Sequence, residues 1–442
     1  MAQGSARAGA RADASDPTRG RWLLVGAGLL VQLAIGGVYA WSVFSKALQA
    51  PDSAFALSKS EAAIPFSVTI GTIFIGTFLG GRIQDKRGPK VVALTGVVLY
   101  SLGIIGASFA TSRESFWLLV LTYGVIGGIG LGLAYIVPIA MLQKWFPDKR
   151  GLITGLAVGG FGFGAVITSP VAQRLISSDP EVPTRAFLPL GIAYLIAGVA
   201  GASLFKNPPA GYRVPGWETS AAGAAKSSGR DYSQAEALRT PQWYLLTAIL
   251  TLNVTAGIAL IAVAAAAASD IANYSAAAAA SVVGIWAIFN GGGRIFWGAV
   301  SDKIGRMPAF VAMLAIQGVC FLLLPHAGNA ALFFLLGALI YLCYGGAFGT
   351  MPATAGDFFG VKNAGAIYGL MIIGWSLGGV LGPQLAAALA GGGNYTRSFT
   401  TIGVIALVAT ALPVVTKLPR VRSGSGDPYP AAAPQGRVGQ RL

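Results

Sequence analysis

The chain has 442 residues, of which 54% are hydrophobic and only 11% are charged, and its net charge is +15. Soluble domains carry about 25% charged residues, so this composition excludes a soluble globular protein and indicates an integral membrane protein. Apolar runs of about 20 residues suit helices that cross a hydrocarbon core of about 30 Å, and they lack the alternation of barrel strands. We therefore predict an all-α membrane fold.

The apolar runs, taken in chain order, predict twelve transmembrane helices. They cover residues 22–45, 62–81, 91–110, 115–143, 151–170, 185–205, 243–268, 276–300, 309–325, 330–356, 363–392 and 396–417. Residues 1–21 and 418–442 are predicted to be polar tails, and residues 206–242 a polar linker. The helices then form two six-helix bundles, at residues 22–205 and 243–417.

Basic residues predict the orientation of these helices in the membrane. Of the 31 Lys and Arg, 24 lie in the tails, the linker and the loops after even-numbered helices, six lie in the other loops, and the last is Arg294. Basic residues favour the cytoplasmic side, so we expect both termini and the linker there, in the cell inner (plasma) membrane. The positive charge is thus mostly a topology signal, and we expect no nucleic-acid partner.

Two sequence patterns recur in the two halves. GGRIQDKRGPK (Gly80–Lys90) and WGAVSDKIGRMP (Trp297–Pro308) each place Asp-Lys and a Gly in a basic turn after a predicted helix. KWFPDKRGLITGL (residues 144–156) aligns with DFFGVKNAGAIYG (residues 357–369) at a constant offset of 213 residues, which pairs Phe146 with Phe359 and Lys149 with Lys362. Two six-helix halves joined by a linker are typical of secondary transporters, whose substrate site lies near the midplane. No Lys follows a Gly, so an ATP-binding phosphate loop is not expected.

One charged residue lies deep inside a predicted span. Arg294, in WAIFNGGGRIFWGAV, lies eight residues before Asp302, about 12 Å from the helix end and so near the midplane. Inserting arginine there costs at least about 2.5–3.5 kcal/mol, and the predicted spans contain no Asp or Glu to neutralise it. We predict that a substrate carboxylate binds the guanidinium; snorkelling towards the cytoplasmic surface is the alternative.

Polar and aromatic residues of several spans complete the predicted substrate site. Asn290 lies one turn before Arg294 and Trp286 one turn earlier, on the same helix face, and glycines 291–293 leave the adjoining turn open to a helix or a ligand. Besides Arg294 and Asn290, the candidate substrate-binding residues are Tyr39, Tyr135, Tyr344, Gln32 and Trp375. Packing or helix–helix contact is the alternative for each of them.

These residues resemble a known family. The Asp-Lys-Arg-Gly loops are similar to the signature loop of the major facilitator superfamily, which latches neighbouring helices. The resemblance therefore implies gating roles for two triplets of loop residues, Asp85, Lys86 and Arg87, and Asp302, Lys303 and Arg306. VYAWSVF, KWFPDKRG, NGGGRIFWGAVSDKIGR and YGGAFGTMPA resemble the oxalate–formate exchangers and the monocarboxylate transporters. That branch implies a substrate-binding arginine at Arg294 and cavity aromatics at Tyr39 and Tyr344, with Tyr135 added.

Two departures from that branch bear on the substrate. The oxalate exchanger pairs its arginine with an eleventh-span lysine, whereas residues 364–396 here carry no charge. One buried cation matches one carboxylate, because the second charge of a dicarboxylate would remain unpaired in a low-dielectric site. Animal monocarboxylate transporters place an Asp, implicated in proton coupling, where this chain has Asn290, which cannot carry a proton.

The combined prediction is a monomeric transporter of small monocarboxylates such as lactate or pyruvate, working by proton symport and alternating access. Anion exchange is the alternative mode, and a channel or a transporter-like sensor is the alternative class. We expect no enzyme, because acid–base catalysis lacks intramembrane carboxylates and His326 lies in a loop. Cys320 and Cys343 are read as buried apolar residues, so no metal or cofactor is expected.

Overall fold

A computed structural model describes residues 17–214, 228–389 and 395–419 of the chain. Within these residues the secondary structure is entirely helical. The long helices are α1 (Pro17–Ile35, Gly36–Ala40 and Trp41–Leu48), α2 (Lys59–Arg87), α3 (Pro89–Ala107), α4 (Phe116–Leu119, Val120–Gly127 and Gly128–Trp145), α5 (Arg150–Ser178), α6 (Phe187–Ser203), α7 (Pro241–Ala272), α8 (Ala276–Ile304), α9 (Arg306–Leu323), α10 (Ala330–Phe359), α11 (Ala364–Met371 and Ile373–Leu389) and α12 (Thr396–Ala409 and Ala411–Val415).

The prediction of an all-helical membrane protein is confirmed. Eleven helical stretches of the described residues are long and apolar enough to cross a membrane. Helix α8 adds 29 residues, about 43 Å at 1.5 Å per residue. Residues 1–16, 215–227, 390–394 and 420–442 lie outside the described residues, so parts of the predicted tails, linker and eleventh span are not covered.

Several helices extend beyond their predicted ends. Helix α2 continues to Arg87 rather than residue 81, so Asp85 lies in its last turn and not in a loop. Helix α5 runs through Pro170 to Ser178. A membrane helix tolerates an internal proline when neighbouring helices or side chains satisfy the backbone groups that the proline frees. Polar residues at the ends of predicted spans therefore belong to the helices, and the loops are shorter than expected.

Helix α1 is interrupted close to the predicted site. Its middle, Gly36–Ala40, is a 3₁₀ segment, a tighter winding that often marks a functional position in a helix. The segment is in very close contact with α5, since a Cβ on Gly36 would overlap the carbonyl oxygen of Phe161. The interruption places Tyr39 against the ring of Phe161, with the ring centroids 5.0 Å apart.

Helices α5 and α8 join the N-terminal half (α1–α6) to the C-terminal half (α7–α12) through glycines. A Cβ on Gly298 of α8 would overlap the carbonyl oxygen of Gly151 in α5. A Cβ on Gly155 would likewise overlap the carbonyl oxygen of Arg294. Because only glycine permits such an approach, the two backbones are in direct contact along this seam.

Helices α2 and α11 form the second seam between the halves. A Cβ on Gly81 would overlap the carbonyl oxygen of Gly365 in α11. Farther along, Thr77 Oγ1 donates a hydrogen bond to the carbonyl oxygen of Gly369 at 2.9 Å. Both seams therefore combine small residues with backbone contacts, as is usual for helices packed in a membrane.

The described part of the linker is folded against the turn between α10 and α11. The backbone N–H of Tyr232 donates to the carbonyl oxygen of Phe359 at 2.8 Å. A short helix, Gln234–Leu238, begins at a Ser233–Glu236 capping box, and the hydrogen bonds from Ser233 lower the pKa of the Glu236 carboxyl. The end of the bundle that carries this linker, the end of α2 and the start of α7 is called the linker end below.

Candidate functional site

Arg294 is buried between α5, α8 and α10. Only 1% of the surface of this residue is exposed, so its side chain does not snorkel to the surface of the protein. Nη1 donates to the carbonyl oxygen of Val158 at 3.1 Å, whereas Nε and Nη2 have no hydrogen-bond partner. Among the described residues no carboxylate forms an ion pair with this guanidinium. Within the described residues, the edge that presents two parallel N–H groups therefore has no carboxylate partner and no hydrogen bond of regular geometry.

Two phenylalanines flank the guanidinium. The Cζ atom of Arg294 lies 5.7 Å from the ring centroid of Phe161 and 5.1 Å from that of Phe348. Both rings are within the range of cation–π attraction. Trp375 of α11 connects them, with centroids 6.1 Å from Phe161 and 5.1 Å from Phe348. The sequence analysis missed both phenylalanines, although each lies in a glycine-rich run, GGFGFG and GGAFGT, where a bulky residue is conspicuous.

The tyrosines predicted from the sequence lie around this aromatic enclosure. Tyr135 is 5.2 Å from Phe161 and 6.2 Å from Trp375, and Tyr344 is 5.4 Å from Phe348, all between ring centroids. The Tyr39 hydroxyl group interacts with Arg294 and with the hydroxyl group of Tyr344. The structure thus brings Tyr39, Tyr135, Tyr344 and Trp375 together with Arg294, from helices of both halves.

Tyr368 of α11 is an additional member that was not among the predicted site residues. It is buried, and its hydroxyl group interacts with that of Tyr135 and with Arg294. Neither tyrosine hydroxyl completes a hydrogen bond of regular geometry. Tyr135 belongs to α4 and Tyr368 to α11, so this pair connects the two halves beside the guanidinium.

Three further residues named in the sequence analysis have different surroundings. Asn290 is half-buried one turn from Arg294, and its Oδ1 has no partner. Gln32 Nε2 donates to the carbonyl oxygen of Tyr135 at 3.1 Å, so it connects α1 to α4. Trp286 is directed at α10 instead, where its Nε1 donates to the carbonyl oxygen of Phe334 at 2.9 Å. Trp286 therefore packs within the C-terminal half.

Asp85, at the linker end of α2, bridges the two halves. Its Oδ2 accepts a hydrogen bond from the backbone N–H of Ala366 at 2.9 Å, in the first turn of α11. Its Oδ1 lies 3.3 Å from Nζ of Lys144, at the end of α4. A carboxylate is stabilised at a helix N-terminus by the unpaired N–H groups and the helix dipole.

Asp302 occupies the equivalent position at the linker end of α8. Its two carboxylate oxygens accept hydrogen bonds from the backbone N–H groups of Gly151 and Leu152, at 3.0 and 2.9 Å, in the first turn of α5. Arg306 lies 2.7 Å from Asp302 in an ion pair between atoms Nη1 and Oδ1. Each half therefore places one aspartate on a helix N-terminus of the other half.

Asp357 completes the linker-end network. Its Oδ2 forms an ion pair with Nε of Arg306 at 2.8 Å, and its Oδ1 forms another with Nη1 of Arg150, in the N-terminal half, at 2.9 Å. By contrast, the predicted gating residues Lys86, Arg87 and Lys303 are exposed, and none forms an ion pair in the described part of the chain. The aspartates instead pair with Lys144 at the end of α4, Arg150 at the start of α5 and Arg306 at the start of α9.

Comparison with known proteins identifies the family. The sequence matches the family profile described as Major Facilitator Superfamily over residues 28–383 and again over residues 247–438. The oxalate:formate antiporter of Oxalobacter formigenes is 30% identical over 406 residues, which cover 89% of this chain and 90% of that protein. Monocarboxylate transporter 13 of Rattus norvegicus is 27% identical over 356 residues, covering 78% of this chain and 77% of that one.

A third relative and a solved structure agree with this assignment. Apicoplast pyruvate carrier 1 of Toxoplasma gondii is 25% identical over 522 residues and covers 93% of each chain. The crystal structure of the E. coli fucose:proton symporter FucP superposes with a TM-score of 0.67 at 16% identity, covering 90% of this chain and 98% of that one, which shows the shared fold. The chain belongs to the major facilitator superfamily, in the branch that holds the oxalate:formate antiporter and the monocarboxylate transporters.

Proposed function

We propose that this membrane transporter carries small monocarboxylates of the lactate or pyruvate type, with Arg294 binding the carboxylate. The observation that carries the proposal is the free edge of the guanidinium: Nε and Nη2 are buried, and in the described structure they make no hydrogen bond of regular geometry and pair with no carboxylate. Those two N–H groups match the two oxygens of one carboxylate in a bidentate hydrogen-bonded pair. A bound carboxylate would both satisfy the donors and neutralise the buried charge.

The charge of the site favours a monoanion. Arg294 is enclosed by Phe161, Phe348 and Trp375, so a second carboxylate would have aromatic neighbours rather than a cation. The sequence of α11 contains no Lys or Arg to pair with it. Dicarboxylates would therefore pay an uncompensated desolvation cost, whereas a monocarboxylate would leave the site neutral.

Alternating access would proceed by rocking of the two halves. The contacts of Asp85 and Asp302 with helix N-termini of the opposite half, and the Arg150–Asp357 pair, lie at the linker end. We place that end in the cytoplasm on the distribution of basic residues. These contacts would close the cytoplasmic side, and their rupture would open it.

Proton symport is the coupling that we favour, with the neutralised Arg294 permitting the halves to close. Exchange of one anion for another is the second candidate. One observation supports exchange: within the described residues no carboxylate pairs with Arg294. A transporter with an empty site would therefore have to reorient with an unpaired buried charge, which is costly. The relative named an oxalate:formate antiporter points the same way.

Purified protein in proteoliposomes tests the proposal. We expect saturable uptake of labelled lactate or pyruvate, its loss in Arg294→Ala, and its retention in Arg21→Ala. Arg21 is a matched control, since it is also a buried arginine but pairs with Asp148 at the linker end. Retention of uptake in Arg294→Ala would contradict the proposed role. Uptake into empty vesicles driven by an imposed pH gradient indicates symport, whereas a requirement for internal anion indicates exchange.

A further inference from the structure

We propose that Asn253 of α7 is a further substrate-contacting residue, which hydrogen-bonds a polar group of the monocarboxylate other than its carboxylate. The proposal rests on the proposed function, since it assumes that Arg294 binds the carboxylate. It assigns to the site a preference for hydroxy- or oxo-substituted monocarboxylates over unsubstituted acids of the same size.

Asn253 is a buried amide with no partner in the protein. Its residue is 0% exposed, and neither Oδ1 nor Nδ2 has a hydrogen-bond partner in the described structure. Buried polar groups in folded proteins are nearly always paired, so an amide with both ends free requires an explanation. Leu246, Leu250 and Leu260 occupy the same helix face and are also buried, so an apolar side chain at this position would satisfy packing alone.

The face of α7 that carries Asn253 packs against α10 near Asn253. Gly257 lies one turn away on that face. A Cβ on Gly257 would overlap the ring of Tyr344, so α7 is in close contact with α10 at this point. The chain of contacts continues from Tyr344 to Phe348, whose ring lies 5.1 Å from Arg294 Cζ. Asn253 thus lies one turn from a glycine that contacts Tyr344, a residue of the site.

Asn253 and Arg294 lie at similar distances along their helices from the linker end. Asn253 lies 12 residues after the linker-end start of α7 at Pro241, which is about 18 Å along the helix. Arg294 lies 10 residues before the linker-end terminus of α8 at Ile304, about 15 Å. Phe348 lies 11 residues before the terminus of α10 at Phe359, about 16 Å. The residues that carry the free amide and the free guanidinium edge therefore lie within about one helical turn of each other in distance from the linker end.

The chemistry of an amide suits a substituent next to a carboxylate. An amide offers one acceptor and two donor hydrogens, so Oδ1 can accept from a hydroxyl group and Nδ2 can donate to an oxo group. With the carboxylate held by Arg294, a hydroxyl or oxo group on the neighbouring carbon would satisfy an amide that the protein leaves unpaired. An unsubstituted acid would leave the amide as unpaired as it is in the ligand-free protein, so the preference comes from the hydrogen bond that the substituent adds.

Uptake competition between lactate and propionate tests this inference, because the two acids have equal carbon counts and differ in the hydroxyl group. In full-length Asn253→Leu we expect the apparent lactate affinity to fall about fivefold to tenfold, as for the loss of one hydrogen bond. The propionate affinity should stay unchanged. Because the substitution removes an unpaired buried amide, the melting temperature of the ligand-free protein should be equal or higher.

Controls separate this role from a structural one. Gln317→Leu removes another buried amide, one that bonds the carbonyl oxygen of Ile340, and should leave the lactate-to-propionate ratio unchanged. If Asn253→Leu does not fold, Asn253→Ala is measured in its place. An unchanged ratio in Asn253→Leu, or an equal fall for both acids, would overturn the inference while the Arg294 proposal stands. Wild-type uptake of neither acid would overturn both.

Discussion

Gly155 of α5 lies directly against the carbonyl oxygen of Arg294 in α8, so the residue proposed to bind substrate is packed on the opposite half of the protein. The same carbonyl oxygen faces Gly349 of α10 on its other side. Two glycines thus hold the backbone at Arg294, while its side chain reaches the carbonyl oxygen of Val158. A movement between the halves must therefore change the surroundings of Arg294 itself.

Substitution Gly155→Ala tests the importance of this approach. Its methyl group would overlap the Arg294 carbonyl oxygen, and overpacking of this kind costs about 1–3 kcal/mol. We expect a lower melting temperature and impaired lactate uptake. Gly284→Ala, in the same helix as Arg294 but away from the site, is the control, because a Cβ there meets nothing within 4 Å. Equal behaviour of the two variants would show that the α5–α8 contact is dispensable.

Arg294→Lys tests the bidentate geometry apart from the charge. Lysine retains a positive charge but lacks the parallel Nε–H and Nη2–H pair, so one charge-assisted hydrogen bond is lost. Such a bond contributes about 1.5–3 kcal/mol, and we expect lactate to bind about tenfold to a hundredfold more weakly. Ligand-induced thermal shifts of purified protein measure the change. Binding at wild-type strength would mean that charge alone suffices.

Asp302→Asn weakens the latch at the linker end. Asparagine has no negative charge, and its Nδ2 cannot accept the second N–H of the α5 N-terminus, which we expect to cost about 1–2 kcal/mol. The population open at that end should rise. Spin labels on exposed Lys86 and Lys303, one on each half, report the opening as a longer distance. Asp52→Asn is the control, because Asp52 is exposed in the loop between α1 and α2. An increase in the spin-label distance as large in Asp52→Asn as in Asp302→Asn would exclude a specific latch.

Gln234→Leu separates the linker helix from the gate. Gln234 Oε1 accepts from Arg82 Nε of α2 at 2.5 Å, and its Nε2 donates to the carbonyl oxygen of Ala366 in α11 at 2.7 Å, so one side chain connects both halves. Losing both bonds should cost about 1–3 kcal/mol and speed hydrogen exchange at residues 228–238. Gln173→Leu is the control, because Gln173 is exposed and bonds only within α5. Unchanged exchange in Gln234→Leu would contradict the bridging role.

Local composition determined the main plan of the protein. Runs of apolar residues long enough for a bilayer predicted the helices, because hydrophobic length is a local property of the chain. The solitary charge at Arg294 was equally visible, because a cation without an acid in the neighbouring sequence needs a partner from elsewhere. The glycines around it indicated close helix packing, which the contacts of Gly291 with Phe163 and of Gly293 with Leu342 agree with.

Only the tertiary structure decided which side chains meet. Trp286 and Asn290 share a helix face with Arg294, yet Trp286 packs on α10, because Gly337 of that helix leaves room for the indole ring and the carbonyl oxygen of Phe334 accepts from its Nε1. Phe161 and Phe348 flank the guanidinium from helices far apart in sequence. The resemblance to the signature loop implied gating roles for Lys86 and Arg87, but distance and direction select Lys144 and Arg150 as the ion-pair partners. Hydropathy depends on single residues, whereas contacts between helices depend on crossing angles and glycine positions in two helices at once.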